Sequence, residues 1–310
     1  MKKDIGSHII NRLDLQDIVR VLSEELSGTE LNSILLDVFN KRAQQETPSS
    51  LLNKYEANKL VKPARIDVLK YKENELNCYR IMADRGFKPL ELSPVAQLGT
   101  SSVVATVDQK KVLTALRNTE AQADPTNAIA LHYASLKKKG TIDNQTQHYG
   151  NISRVIRTQV FDNPNFTPHF SVLCLISCGK DTGSFNFEKE ELLKHLTTSY
   201  DILHKNYGLE QIYFELIPCK GYDSQSPLIT HAISYIRENS NHLKVTAVLP
   251  DHENNYYYGF RIKTKVVIDN NVIEIGDGGL LDWTQQLLTN KKERMLTTGI
   301  GFQILNILAT

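Results

Sequence analysis

Between Arg154 and Phe170 the chain reads RVIRTQVFDNPNFTPHF: two arginines in a β-branched run, a loop of Asn and Pro, then aromatic residues leading into a second apolar run. An arginine at a strand end can grip a phosphate through parallel N–H donors, and a ring beyond a hairpin loop can stack on a base. Arg154 and Arg157 are three residues apart, so on a strand they face opposite sides and only one can serve a given site. Exposed strand arginines and core phenylalanines would account for the same residues.

A second stretch, HENNYYYGFRI from His252 to Ile262, puts three tyrosines and a glycine at the start of a strand. A third, EIGDGGLLDW from Glu274 to Trp283, puts three glycines and two aspartates at the exit of its partner. Glycines let backbone approach a ligand closely, and carboxylates can receive a substrate amine. A tight turn beside an aromatic cluster explains these residues about as well. Cys174 and Cys178 would share a strand face, but a zinc site needs a fourth ligand that the spacing does not supply, so no metal is assigned to the thiols. No Ser/His/Asp or Cys/His set has a nucleophile context.

These stretches need elements to hold them. From Asp14 to Ala43 apolar residues recur at helical spacing with a break at Gly28, and QQETPSS and VKPARID then mark a boundary. This gives a helical N-terminal region, 1–62, and a core domain, 63–310. The core opens on an amphipathic helix through DVLKYKENELNCYRIMADRGF, stopped by Gly86, then an extended segment to Pro94. Helices are predicted near 126–138, 187–206 and 227–238. Strands are predicted at SRVIRTQVF, FSVLCLISC, QIYFELIP and KVTAVLP, and a hairpin at YYYGFRIKTKVVIDNNVIEIGDGG turns around DNN. TTGIGFQILNILAT, at the end, reads as a glycine-opened apolar helix. Strands without regular crossover helices imply an α+β fold with a largely antiparallel sheet and helices on one side of it.

Bulk properties are those of a globular chain: 41% hydrophobic, 23% charged, with 36 Lys and Arg against 35 Asp and Glu. No global field draws it to nucleic acid or an anionic membrane. No stretch approaches the roughly 18 apolar residues of a membrane span, and the N-terminus has no signal-like apolar run, so no membrane association and a cytoplasmic location are expected. The four cysteines are too few and irregular for a disulfide framework. No GxGxxG or GxxxxGK[ST] is present, so a bound nucleotide must be held by side chains.

In order, the long helix, the extended segment ending in Ser-Pro, Arg-x-Gln on a strand, YYYG, GDGG…DW and GIG opening a helix resemble the class II aminoacyl-tRNA synthetase core. Residues 63–310 are most similar to the histidyl-tRNA synthetase branch, including its paralogue the ATP phosphoribosyltransferase regulatory subunit. The resemblance implies an antiparallel sheet flanked by helices, a homodimer formed through the first motif, and ATP with Mg2+ as cofactors. It implies that Arg157 and Gln159 act on the α-phosphate and adenine in catalysis, with Phe170, or next Phe166, stacking on the base. ADPTNAIALHYA resembles the family's Pro-x-x-Thr loop, which makes Asp124 and Thr126 candidates for the ligand's ammonium group.

Two signatures depart from the family. Arg-Gly-Leu-Asp-Tyr-Tyr-x-Gly becomes His252-Glu253-Asn254-Asn255-Tyr256-Tyr257-Tyr258-Gly259, leaving His252, Tyr257 and Gly259 at substrate-binding positions. Gly-Gly-Arg-Tyr-Asp becomes Gly278-Gly279-Leu280-Leu281-Asp282, leaving Gly278, Gly279 and Asp282. These changes argue against histidine as the substrate. In the third motif Gln303-Ile304 replaces Glu-Arg, removing the arginine that pins the γ-phosphate; Lys291, Lys292 or Arg294 could substitute, or simply form a solvated helix end. The chain stops at Thr310 without space for an anticodon-binding domain, so tRNA charging with anticodon readout is not expected, and tRNA contact is left open. The resemblance thus implies a protein binding ATP or another adenylate and a small amino or carboxylic acid, able to form an adenylate. The alternative is a non-catalytic paralogue that binds a ligand and regulates a partner protein.

Overall fold

The computed structural model describes residues 5–158, 167–219, 221–250 and 256–309. Helices α1 (Ile5–Leu13), α2 (Ile18–Arg20), α3 (Gly28–Gln44) and α4 (Pro48–Ala57) form the N-terminal region, and none contributes a buried residue. Ser27 and Glu30 make a reciprocal capping box that starts α3 just before the glycine the sequence marks as a break. Asn32 donates to the Asn118 side chain at 3.1 Å and accepts from the Arg117 backbone at 2.6 Å, tying α3 to the core domain.

Helix α5 (Val68–Asp84) begins at Asp67, whose carboxylate accepts from the backbone of Leu69 and Lys70, and it buries Tyr71, Cys78 and Met82 along one face. Gly86, at φ 80°, turns the chain into β1 (Lys88–Pro89). Three short strands, β2 (Val95–Gln97), β3 (Thr114–Ala115) and β4 (Thr119–Ala121), make a separate small sheet. There follow α6 (Pro125–Lys138), β5 (Gln147–Ile156), β6 (His169–Lys180), α7 (Asn186–Asp201), β7 (Ile212–Pro218), α8 (Pro227–Asn239) and β8 (Lys244–Ala247). The chain continues through β9 (Tyr258–Ile268), β10 (Asn271–Leu281), α9 (Trp283–Leu288), β11 (Glu293–Ile300) and α10 (Phe302–Leu308). Asp269 and Asn270, both at positive φ, make the tight turn of the β9–β10 hairpin.

Eight strands form the main sheet in the order β1-β5-β6-β11-β10-β9-β7-β8, antiparallel throughout except for the parallel outer pairs β1/β5 and β7/β8. Helices cover both faces, not one as the sequence pattern implies. One core cluster joins Met82, Phe87, Leu175, Leu196, Phe214, Phe260, Leu296 and Phe302 under α5, α7, α8 and α10. A second joins Ile129, Tyr133, Ile176, Leu281, Trp283 and Met295 under α6 and α9. Alternate residues of β6 and β11 feed the two clusters, as the two-residue period of a strand requires.

The C-terminal segment departs most from the sequence expectation. Glu293 to Ile300 is a central strand, so of NKKERM only Asn290–Lys292 lie in the turn after α9, with both lysines exposed, and Thr297–Ile300 does not open a helix. Helix α10 begins only after Gly301. β11 threads between β6 and β10, and glycines admit it. A Cβ on Gly278 would stand 2.4 Å from the Thr297 carbonyl oxygen, and one on Gly276 2.8 Å from that of Gly299. Gly278→Ala should therefore cost about 1–3 kcal/mol of stability through overpacking. A denaturant midpoint equal to the parent's would contradict this.

A polar seam behind the sheet fastens α7. Ser177 Oγ donates to Glu191 Oε2 at 2.7 Å and so accepts from His195 Nε2 at 2.9 Å, while His195 Nδ1 accepts from Thr298 Oγ1 at 2.9 Å. His148 Nε2 lies 2.7 Å from the same Glu191 oxygen. Burial pushes the His195 imidazole down to about 3 from 6.5, outweighing the opposing pull of Glu191. Burial pushes Glu191 upward, but its bonds to His148 and Ser177 prevail and the net shift is downward. The unfolded chain therefore binds more protons than the fold between pH 6.5 and 3, and stability falls as pH falls through that window. Melting temperature should decline across it, and His195→Gln should flatten the decline; an unchanged slope in that variant would refute the assignment.

Candidate functional site

On the α6 face, a cleft of about 540 Å³ opens between the start of α6, the Ser101–Val112 loop, the ends of β5 and β6, and the middle of β10 and β11. Glu120 holds the loop: its buried carboxylate accepts from the backbones of Gly99 and Ser101 and from Gln109 Nε2 at 2.8–3.1 Å. Burial raises its pKa, but these bonds outweigh burial and the carboxyl sits below its ordinary value.

Arg157 lies just beyond the end of β5, with its guanidinium 5.3 Å from the Phe170 ring centroid, and both line the cleft. Arg154 is spent elsewhere. Its Nη1 lies 3.0 Å from both His169 Nδ1 and Gln303 Oε1, fastening α10 to β5 and β6. The same histidine reaches the Lys62 carbonyl through Nε2 at 2.6 Å. Of the two arginines, Arg157 is the one available to a ligand.

Asp124, Thr126 and Tyr257 also line the cleft. Asp124 caps α6, accepting from Thr126 N at 2.8 Å, and its other oxygen accepts from the Tyr256 hydroxyl at 3.2 Å. Thr126 Oγ1 is 3.3 Å from Thr297 Oγ1 on β11. Burial, then nearby carboxylates, raise both the Tyr256 and Tyr257 phenols well above their ordinary range, so they act as neutral hydrogen-bonding rings.

The remaining expected positions fall elsewhere. Gly259 packs beneath Leu228 and Leu280 at φ 66°, Gly278 admits β11, and Gly279 seats the Tyr257 ring, 2.7 Å from where its Cβ would be. Asp282 is exposed at the start of α9 and accepts from Gln286. These glycines let protein backbone approach protein rather than ligand. Gln159, Phe166 and His252 lie outside the described residues.

Other cleft residues escape the sequence reading. Asn127, 2% exposed, has no partner for its Nδ2 among the described residues. Asp277 pairs with Arg261 through two bonds of 2.8 and 2.9 Å, and Glu274 lies 3.3 Å from Lys263. Asp277 holds the Arg261 guanidinium more firmly protonated, against the effect of burial. Glu274 and Asp277 are three apart and would face opposite sides of a regular strand; a register shift between Glu274 and Gly276 brings both to the cleft. Asp277 is one of the two aspartates visible in EIGDGGLLDW, but spacing does not distinguish it from Asp282.

Lys111 and Arg157 are the cationic lining residues among those described, against Asp124, Glu274 and Asp277. Arg294 and Lys291 line a pocket on the other face, and Ile304 is not among the lining residues. Neither Lys291 nor Arg294 thus replaces the third-motif arginine. The size suits a small ligand or nucleotide. Mg2+ commonly takes one or two carboxylates together with substrate phosphates. Glu274 and Asp277 are suitable donors only if they exchange their present pairing with Lys263 and Arg261.

The antiparallel sheet with its helical layers is the class II aminoacyl-tRNA synthetase-like fold. No family profile matches the sequence, and no curated protein matches it. Among solved structures, the chain is similar to an ATP phosphoribosyltransferase regulatory subunit/histidyl-tRNA synthetase from Bacillus halodurans, at TM-score 0.60 and 13% identity over 80% of this chain and 83% of that one. Histidyl-tRNA synthetase from Nostoc matches at TM-score 0.60 and 11% identity, covering 85% and 75% of the two chains. The apo enzyme from Staphylococcus aureus matches at TM-score 0.57 and 14% identity, covering 78% of this chain and 65% of that one. Among the described residues no helix is long and apolar enough to cross a membrane.

Proposed function

We propose that this protein binds an adenine nucleotide, ATP or another adenylate, beside a small amino or carboxylic acid in the α6-face cleft. The observation that carries the reading is Arg157, stacked over Phe170 at a cleft that also holds Asn127, whose Nδ2 has no partner among the described residues. Arg157 would grip the α-phosphate, and the Phe170 face it vacates would receive the base. Asn127 Nδ2 would donate to the acid's carboxylate, while Asp124 or Asp277 would accept from an ammonium group. Mg2+ would enter with the nucleotide and neutralise its phosphates.

A second reading, a non-catalytic paralogue that binds such a ligand and regulates a partner protein, is favoured by the charge of the cleft. Adenylate formation needs positive charge at both ends of the triphosphate. Two cations against three carboxylates, with Ile304 in place of arginine, supply little of it. A missing charge-assisted contact is worth about 1.5–3 kcal/mol in binding alone. A homodimer through α5 and the segment after it completes the proposal, supported by exposed Val68, Leu69, Leu76 and Val95.

Calorimetric titration with ATP-Mg and a panel of acids, followed by ATP–pyrophosphate exchange, tests both readings. Absence of ATP binding sinks the first, and exchange with any acid sinks the regulatory alternative. Arg157→Ala should weaken ATP binding roughly tenfold or more, through loss of one charge-assisted contact; unchanged affinity would overturn its assignment. Light scattering should give twice the 35.1 kDa chain mass, and a monomer would remove the dimer from the proposal.

A further inference from the structure

We propose that a second pocket, behind the sheet, binds the ammonium group of a small amine. The pocket, about 440 Å³, opens on the α7 and α8 face, away from the nucleotide cleft and sharing no lining residue with it. It is built around Glu188 in the first turn of α7, which is 4% exposed. Glu188 Oε1 accepts from Arg294 Nε at 2.9 Å, but its Oε2 is buried without a partner among the described residues. The Tyr258 hydroxyl, lining the same pocket, is likewise buried and unpartnered.

Arg294 cannot readily turn to satisfy both groups. Four of its five N–H donors are committed to Glu188 Oε1, to Asp181 Oδ2 at 2.7 Å and to the carbonyls of Lys291 and Glu293. A buried acceptor left without a donor is costly, so the pocket is suited to a ligand that brings hydrogen-bond donors. An ammonium brings three, enough for Glu188 Oε2 and the Tyr258 oxygen together. Burial, with the Glu188 carboxylate adding to it, raises the Tyr258 phenol, so this oxygen belongs to a neutral hydroxyl. Phe185 and Tyr222 offer aromatic surface of the kind that attracts cations, and Leu228 and Leu280 offer room for a short alkyl chain.

Asp181 and Glu188 are balanced in formal charge by Lys291 and Arg294, so net attraction does not select the ligand. The unfilled hydrogen-bond geometry does. Lys291 is exposed at the lining and would compete as a tethered cation or receive a carboxylate, which separates two sources of the same ammonium chemistry: a simple alkylamine and an α-amino acid.

The test titrates the full chain, by calorimetry or ligand-observed NMR, with n-butylamine, n-butanol and norleucine. Saturable binding of butylamine with none of butanol is the expected result. Norleucine tighter than butylamine would identify the source as an amino acid, and the reverse order a free amine; either order supports the site. Tyr258→Phe removes only the hydroxyl, and Glu188→Gln replaces the acceptor oxygens with an amide. Each should weaken butylamine at least tenfold, and Tyr258→Phe should do so without lowering the melting temperature, because its hydroxyl has no partner among the described residues. Arg157→Ala should leave butylamine affinity unchanged. Equal binding of amine and alcohol, no saturable amine binding, or full affinity in Tyr258→Phe would each overturn the proposal.

Discussion

The placement of β11 between β6 and β10 is the contact on which the rest of the structure depends. Residues 293–300 pair with β6 and residues 295–300 also with β10, so most of the strand is hydrogen-bonded on both sides, and it divides its side chains between the two cores. Thr297 and Gly299 reach the cleft from it, while Arg294 reaches the pocket on the other face. Close approach to β10 is possible because Gly276 and Gly278 have no Cβ where a neighbouring carbonyl lies within 3 Å. The GDGG pattern is thus first a sheet device, and its aspartate reaches the cleft because the surrounding glycines bend and admit the strands.

The Ser177, His195 and Glu191 seam has the composition of a nucleophile, a base and an orienting acid without their chemistry. Ser177 and His195 are fully buried, and neither lines either of the two pockets described. The serine proton is directed at the carboxylate, so the histidine donates to the serine oxygen instead of accepting from it. An imidazole held neutral far below its ordinary pKa is a rigid coupler between α7 and β11. Buried networks of this kind favour a single packing arrangement when every member is satisfied, and here both histidine nitrogens are.

Much of the fold is legible in the sequence because its elements are locally specified. Asp67 caps α5, Pro125 and Pro227 sit in the first turns of their helices, and Asp269-Asn270 form the hairpin turn. The segment hardest to read was β11, where ERMLTTGI lacks clean alternation because both faces are buried and two cores compete for its side chains. The site divides the same way. Arg157 and Phe170 can be placed from strand-end positions, whereas Asp124 and Thr126 are singled out only by the motif resemblance. Asn127, Lys111 and the Glu274–Asp277 pair depend on a loop path and a bulge that no period in the sequence encodes.

The departures from the histidyl motifs are built into packing, which bears on what the protein can still do. Leu280 and Leu281, standing where the family has arginine and tyrosine, are both fully buried and belong to the two separate cores. Ile304 packs its Cγ2 2.6 Å from where a Gly301 Cβ would stand, and Gln303 is tied to Arg154. A charged side chain at 280 would take the place of a fully buried core leucine at the wall of the Glu188 pocket and disturb the packing around it. The two positions that the motif resemblance assigns to histidine recognition, 280 and 281, are thus part of the packing on either face of the sheet. Placing arginine and tyrosine at 280 and 281 would require repacking two cores, whereas Arg157, Asn127 and Asp124 line the cleft outside both clusters.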